Sequence, residues 1–327
     1  MINLIPDWDT DGVILVLPSA FMNYYNEFLA ELELFYAEFL VEIAKHDSVT
    51  CIVPNQAHVE KMVRLTGLNE KKFDIALVED IWVRDFAPIQ SEQCYIKFVF
   101  NPTYESKSNN EYIDKSFMDY FCLSKIKDYD LDMMPLDLRL EGGNFTHNGK
   151  GTAIVTEKLY SQNRNKSKEE IEKLLRDKLF IEKLVVVPTE PGDRTGHIDG
   201  MLRWIDLDRI IINDYQPNEP RRAKFLNKLN DSLDQNLPDV EQIKIPYFPS
   251  SNKSKGWFSA QGNYINFLRT RNRVYVPVYK FPEEETVKEI FTQVFGENVS
   301  FIEASAISNY GGAFNCITWN CKKSGGF

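Results

Sequence analysis

Short apolar runs of strand length alternate along this chain with longer stretches in which apolar residues recur every three to four positions. The segments YNEFLAELELFYAEFLVEIAKH, SKEEIEKLLRDKL and EEETVKEIFTQVFG carry the second pattern. They predict helices, because residues at i, i+3, i+4 and i+7 share one helical face. Asn165 or Ser167 is placed to cap the second of them, with Glu169 or Glu170 in its first turn. Runs such as VILVLP and LVVVP are strand-length and far too short to span a bilayer.

These pieces recur in a fixed order. DIALVED leads into the polar segment IWVRDFAPI, and CYIKFVF follows it as part of a hairpin-like pair. LDMMPLD precedes LEGGNFTHNGKGTAIVTEK, where Asn148-Gly149 is a hairpin-turn signal. LVVVPTE precedes GDRTGHIDG and the hairpin MLRWIDLDRIIIND; IKIPYFP precedes AQGNYINFLRTRNRVYVPVY, with TRNR at its turn. VSFIEASAI and SNYGGAFNCITWN close the series. The order predicts an α/β chain of about five ββαβ modules, each of roughly 55 to 65 residues, closing about a pseudo-fivefold axis. A generic mixed α/β domain is the plainer alternative. Closure would aim the same loop of every module at one pocket: Trp82 to Asp85, Glu141 to Asn144, Gly196 to Asp199, Gln261 to Asn266, and Gly311 to Cys316.

Charge narrows the partners. The 327 residues carry a formal net charge of −10, which opposes general binding to nucleic acid or anionic membrane and suits a small cation. The opening MINLIPDWDT lacks the basic and apolar regions of a secretory signal, so no export is expected. Five cysteines without disulfide-framework spacing fit a reducing, cytoplasmic setting. Four scattered histidines, with no CxxC or HxxxH, predict neither metal nor other cofactor.

Chemistry then concentrates in the loops. A free cysteine is more often a small buried hydrophobe than a nucleophile, and Cys51, Cys94 and Cys122 are read that way; Cys321 is read as part of a short tail. Cys316 differs, because Gly311 and Gly312 before it allow close approach of the backbone. His197 lies in TGHIDG; if Ile198 begins a strand, His197 and Asp199 project to one face. Trp82 and Asp85 together suggest an aromatic wall beside a carboxylate, suited to a cation. Glu141 opens EGGN, whose Gly142 and Gly143 are expected to take backbone angles denied to other residues, and it would orient the imidazole of His197. Two carboxylates near a thiol suit a guanidinium, whose paired N–H donors they accept.

The motifs IWVRDFAP, LEGGNFTHNGKGTAIVTEKLYSQNRN, GHID and GGAFNCIT, in this order, resemble the agmatine deiminase and bacterial-type peptidylarginine deiminase family of guanidino-group-modifying enzymes. The resemblance implies a pentein fold, a five-bladed α/β propeller forming one catalytic domain over residues 1–327. It implies Cys316 as nucleophile, His197 as general acid–base, and Glu141 as its support. Asp85 and Asp199 would act in catalysis and bind the guanidinium, with Trp82, Asn144 and Gly312 also contacting substrate. The implied reaction converts agmatine to N-carbamoylputrescine and ammonia through a thiouronium intermediate. Free arginine, peptidyl-arginine or another guanidino compound is the alternative substrate, and an arginine at the pocket mouth (Arg139, Arg194, Arg203 or Arg269) would favour it. A non-catalytic pentein binding protein is the alternative of another class. The expected partner is a small cationic guanidino substrate, and self-association into a homo-oligomer is left open. The chain departs from the family in carrying Asn315 where a histidine commonly precedes the cysteine, and Thr195-Gly196 directly before His197.

Overall fold

The computed structural model describes residues 2–124, 131–217, 220–254 and 256–322. Five sheets repeat one plan: a short strand pairs antiparallel with a longer central strand, a helix crosses over, and a third strand returns parallel to the central one. Ile89–Gln90, Cys94–Val99 and Asp132–Arg139 form one, with helix Lys107–Leu123 between the last two. Thr146–His147, Thr152–Thr156 and Lys183–Val187 form the next, crossed by helix Lys168–Leu179. Leu202–Trp204, Arg209–Asp214 and Glu241–Pro246 follow, with helix Pro220–Asn236. Leu268–Arg269, Val274–Val278 and Val299–Glu303 follow in turn, with helix Glu284–Phe295.

The remaining sheet joins the two ends of the chain. Trp319–Cys321 pairs antiparallel with Gly12–Val16 in the register Gly12↔Cys321 and Ile14↔Trp319. Ser48–Val53 lies parallel on the other side, after helix Leu29–Ala44, and Phe73–Ile75 extends the sheet. Cys321 therefore sits buried in a strand, not in a tail. A separate hairpin, Lys253–Ser254 with Trp257–Phe258, projects beside the cavity described below.

Central strands are apolar on both faces because helices and neighbouring sheets cover them, as in Val13–Leu17 and Ile210–Ile212, all buried. The crossover helices are amphipathic: Lys168–Leu179 buries Ile171, Leu175 and Leu179 at a spacing of four. Of the two candidate caps Ser167 is the one used, in a capping box with Glu170. Helix Leu29–Ala44 stacks Phe39 on Phe314 at 4.4 Å, so this core helix braces the loop that carries Cys316.

Local structure departs from expectation at the functional loops. Ile198–Gly200 is a 3-10 turn and not the start of a strand, so His197 and Asp199 are not brought together by strand alternation. Asp85 lies in a one-turn helix, Val83–Phe86. Among the described residues, no helix is long and apolar enough to cross a membrane.

Candidate active site

Loops from all five repeats reach one cavity of about 650 Å³, lined among others by Trp82, Asp85, His197, Asp199, Asn266, Gly312 and Cys316. The Cys316 loop is held from two sides. Asn266 Oδ1 accepts the N–H groups of Ala313 and Cys316 at 3.1 and 3.3 Å, and its Nδ2 donates to Cys316 Sγ at 3.2 Å. On the other side, Arg84 donates from its backbone N–H to Cys316 O and from Nε to Asn315 O, both at 3.2 Å. Gly312 must be glycine here, because a Cβ would lie 2.5 Å from the Trp82 ring and 3.1 Å from Cys316 Cβ.

Beside the thiol stand the carboxylates. Cys316 Sγ is 3.6 Å from Asp199 Oδ2, the oxygen that accepts from Asn315 Nδ2 at 2.7 Å. His197 lies between two more: Nδ1 is 3.6 Å from Asp85 Oδ1 and Nε2 is 3.4 Å from Glu141 Oε2. Asp85 Oδ1 also accepts the Gly143 N–H at 3.0 Å. Gly142 and Gly143 do not take the left-handed backbone angles expected of them. Their constraint is space, since a Cβ at Gly142 would meet Arg84 O at 2.0 Å and one at Gly143 would meet His197 Nδ1 at 2.6 Å.

Burial and mutual charge set the protonation of these groups. Burial pushes the Asp85 carboxyl up to about 6; His197 pulls against that shift, while Asp199 and Glu141 add to it. Burial would also raise Glu141, but His197 and Lys158 outweigh it and hold Glu141 at about 2. Burial disfavours the imidazolium of His197, yet Asp85 and Glu141 overcome both burial and the repulsion of Lys158, so its pKa is raised. Burial pushes the Cys316 thiol well above its ordinary value, and Asp199 and Asp85 push the same way. The same carboxylates thus favour the imidazolium of His197 and disfavour the thiolate of Cys316.

Glu141 and Asn144 are fully buried and stand behind the cavity wall, not on it. Glu141 accepts from Lys158 Nζ at 2.8 Å and from Gln162 Nε2 at 2.8 and 3.2 Å. Asn144, expected to touch substrate, instead accepts the Thr156 N–H at 3.0 Å, and the Thr156 hydroxyl donates to Gly196 O at 2.6 Å. It frames the residue before His197. Arg139, Arg194, Arg203 and Arg269 do not line the cavity; the arginine that does is Arg222, which faces Glu190 at 3.4 Å. Arg203 instead pairs with Asp7. Asn266, Arg84, Lys158 and Arg222 escaped the sequence reading. Arg84 and Asn266 carried a signal, by their places in the loops Trp82 to Asp85 and Gln261 to Asn266. Among the described residues, no three His, Cys, Asp or Glu side chains group to hold a metal ion.

Fold and site together define an α/β protein whose repeated sheets deliver a thiol, an imidazole and paired carboxylates to one cavity. An agmatine deiminase from C. jejuni shares this fold, with a TM-score of 0.85 at 22% identity, covering 99% of this chain and 97% of that one. A cysteine-to-serine form of the C. jejuni agmatine deiminase with substrate bound matches at a TM-score of 0.82 and 21% identity, covering 99% and 97% of the two chains. The agmatine deiminase of Ectopseudomonas mendocina (strain ymp) is 26% identical over 315 residues, 84% of this chain and 83% of that protein. The Porphyromonas-type peptidyl-arginine deiminase family matches residues 4–321, and the chain belongs to that family.

Proposed function

We propose that the chain is a cysteine-dependent iminohydrolase that converts agmatine to N-carbamoylputrescine and ammonia. The observation that carries this reading is the cavity floor, where Cys316 Sγ lies 3.6 Å from Asp199 and His197 lies 3.6 Å from Asp85. A guanidinium held by Asp85 and Asp199 offers its N–H donors to both and presents its central carbon to sulfur. Its positive charge also offsets the two carboxylates that keep the thiol protonated, so substrate binding itself favours the thiolate.

The S–C bond forms as a C–N bond breaks, and the nitrogen leaves as ammonia with a proton delivered by His197. The thiol proton has passed to solvent as the guanidinium binds, so this step leaves the imidazole neutral and able to act as base. Water then adds to the thiouronium carbon, losing a proton to His197; the C–S bond breaks, the ureido product leaves and Cys316 recovers its proton. Acid–base assistance of this kind is worth about 10²–10⁴-fold. Trp82 packs against Gly312 at the cavity wall, where its ring would flank the planar cation.

Agmatine is favoured over substrates bearing a carboxylate by the charge of the cavity. Glu79, Asp80, Asp85, Glu105, Glu190, Asp193 and Asp199 line it, against Arg222 alone among the lysines and arginines of the described residues. Relatives named agmatine deiminase support the same substrate. The five repeats are read as blades closing about one axis into a single catalytic domain over residues 1–327, a reading supported by the shared sheet order and the pairing of the two chain ends. A cytoplasmic setting would keep the five free cysteines, Cys316 included, reduced. The test is ammonia and ureido-product release from agmatine, arginine and a blocked arginyl peptide. Agmatine should turn over with the highest kcat/KM, and preference for arginine or the peptide would refute the substrate assignment.

A further inference from the structure

We infer that Lys158 is a positioning residue for the acid–base step, acting on His197 through the carboxylate of Glu141. The inference rests on the deiminase reading above. Lys158 opens the short helix Lys158–Gln162 and is 8% exposed. Its Nζ donates to Glu141 Oε2 at 2.8 Å, and the same oxygen faces His197 Nε2 at 3.4 Å. One carboxylate thus stands between two cations whenever the imidazole is protonated.

The backbone ties Lys158 to His197 as well. The Lys158 N–H donates to Thr156 Oγ1 at 3.3 Å, and that hydroxyl donates to the carbonyl of Gly196, the residue before the histidine. A Cβ on Gly196 would lie 3.2 Å from Lys158 Cδ, so the lysine stem packs directly beneath the histidine loop.

Orientation of Glu141 alone does not require a lysine. Gln162 Nε2 already reaches both carboxylate oxygens, at 2.8 and 3.2 Å. What Lys158 adds is charge. A histidine that must give a proton to the leaving nitrogen and then take one from water works best when neither protonation state dominates. Asp85 and Glu141 both favour the imidazolium, and Lys158 is the counterweight. The charged and titratable groups around His197 are Asp85 on its one-turn helix, Glu141 before the turn Gly142–Asn144, and Lys158 on its helix. Asp193, whose carboxylate accepts the His197 N–H, Asp199 of the following turn and Cys316 of the last loop complete the set.

The test is the titration of the His197 imidazole, followed by NMR at its Cε1–H and assigned by loss of that signal in His197→Asn. The compared proteins are wild type, Lys158→Met and Lys158→Arg. The lysine charge lies at most about 6 Å from the imidazole through the shared oxygen. At an effective dielectric of about 20, its removal should raise the midpoint by about one to two pH units. Lys158→Arg keeps the charge and should titrate as wild type does. In turnover of agmatine, the alkaline limb of kcat should move up with the same sign in Lys158→Met, with KM unchanged. An unchanged midpoint in folded Lys158→Met would overturn the inference. If Lys158→Met does not fold, Lys158→Gln, which keeps a donor and loses the charge, decides the question by the same titration. A wild-type protein that turns over no guanidino compound would defeat the deiminase reading, while the titration would still report on Lys158.

Discussion

Replacing Gly143 with alanine probes the tightest point of the site. The backbone of Gly143 lies outside the left-handed region, so alanine is allowed there on dihedral grounds. The obstacle is space: the new Cβ would sit 2.6 Å from His197 Nδ1, 2.7 Å from Asp85 Oδ1 and 3.3 Å from Asp199 Oδ2. Relief to an ordinary contact of about 3.5 Å asks the imidazole and the Asp85 carboxylate each to retreat by ~0.8 Å. The turn itself has no room to yield, because Gly142 is pressed against the Arg84 carbonyl on the other side. The displacement therefore falls on His197 and Asp85, the groups proposed to handle the proton and the guanidinium. Overpacking of this kind costs about 1–3 kcal/mol of stability, whereas misplacement by close to 1 Å costs about 10²-fold in rate. Gly143→Ala should thus lose about 100-fold in kcat/KM for agmatine while melting only a few degrees below wild type. Coupled ammonia release and thermal unfolding measure the two quantities. A folded Gly143→Ala protein with near-wild-type kcat/KM would show that the three side chains do not act from the positions described.

Cys316→Ala should abolish ammonia release and leave the melting temperature nearly unchanged, because the substitution only trims a partly exposed side chain; residual turnover near wild type would exclude the thiol as nucleophile. The Asp85 carboxyl, pushed up to about 6, must be ionised to hold the guanidinium. Hence kcat/KM should be full above pH 6 and fall as pH drops through that value, and a profile flat down to pH 5 would remove Asp85 from substrate binding. The carboxylate-rich cavity should attract a dication over distance, so kcat/KM for agmatine should decline as ionic strength rises across the millimolar range. Salt independence would mean that the lining charges do not steer the substrate.

The repeating sheets were legible because their signals are local. Asn148-Gly149 marks the hairpin between Thr146–His147 and Thr152–Thr156, and the spacing of Ile171, Leu175 and Leu179 marks a helix. The loops that carry Cys316, His197, Asp199, Asp85 and Trp82 were legible by their common place in the repeat. Local turn geometry was not: Ile198–Gly200 folds as a 3-10 turn, and the two glycines after Glu141 are required by neighbours and not by their own dihedrals. Asn144 reads as a pocket residue by position, yet it turns inward to hold Thr156. The role of Arg84 rests on a contact 231 residues away along the chain, and that of Asn266 on one 50 residues away. No window of sequence contains both partners.

The pairing of Trp319–Cys321 with Gly12–Val16 orders events during synthesis. Cys316 lies three residues before the strand Trp319–Cys321, in a loop held by Arg84 and Asn266. Every other repeat is therefore made before the Cys316 loop can take its place, since the strand that follows this loop pairs with Gly12–Val16. The same seam marks where a circular permutant could be joined and reopened elsewhere with the working parts intact.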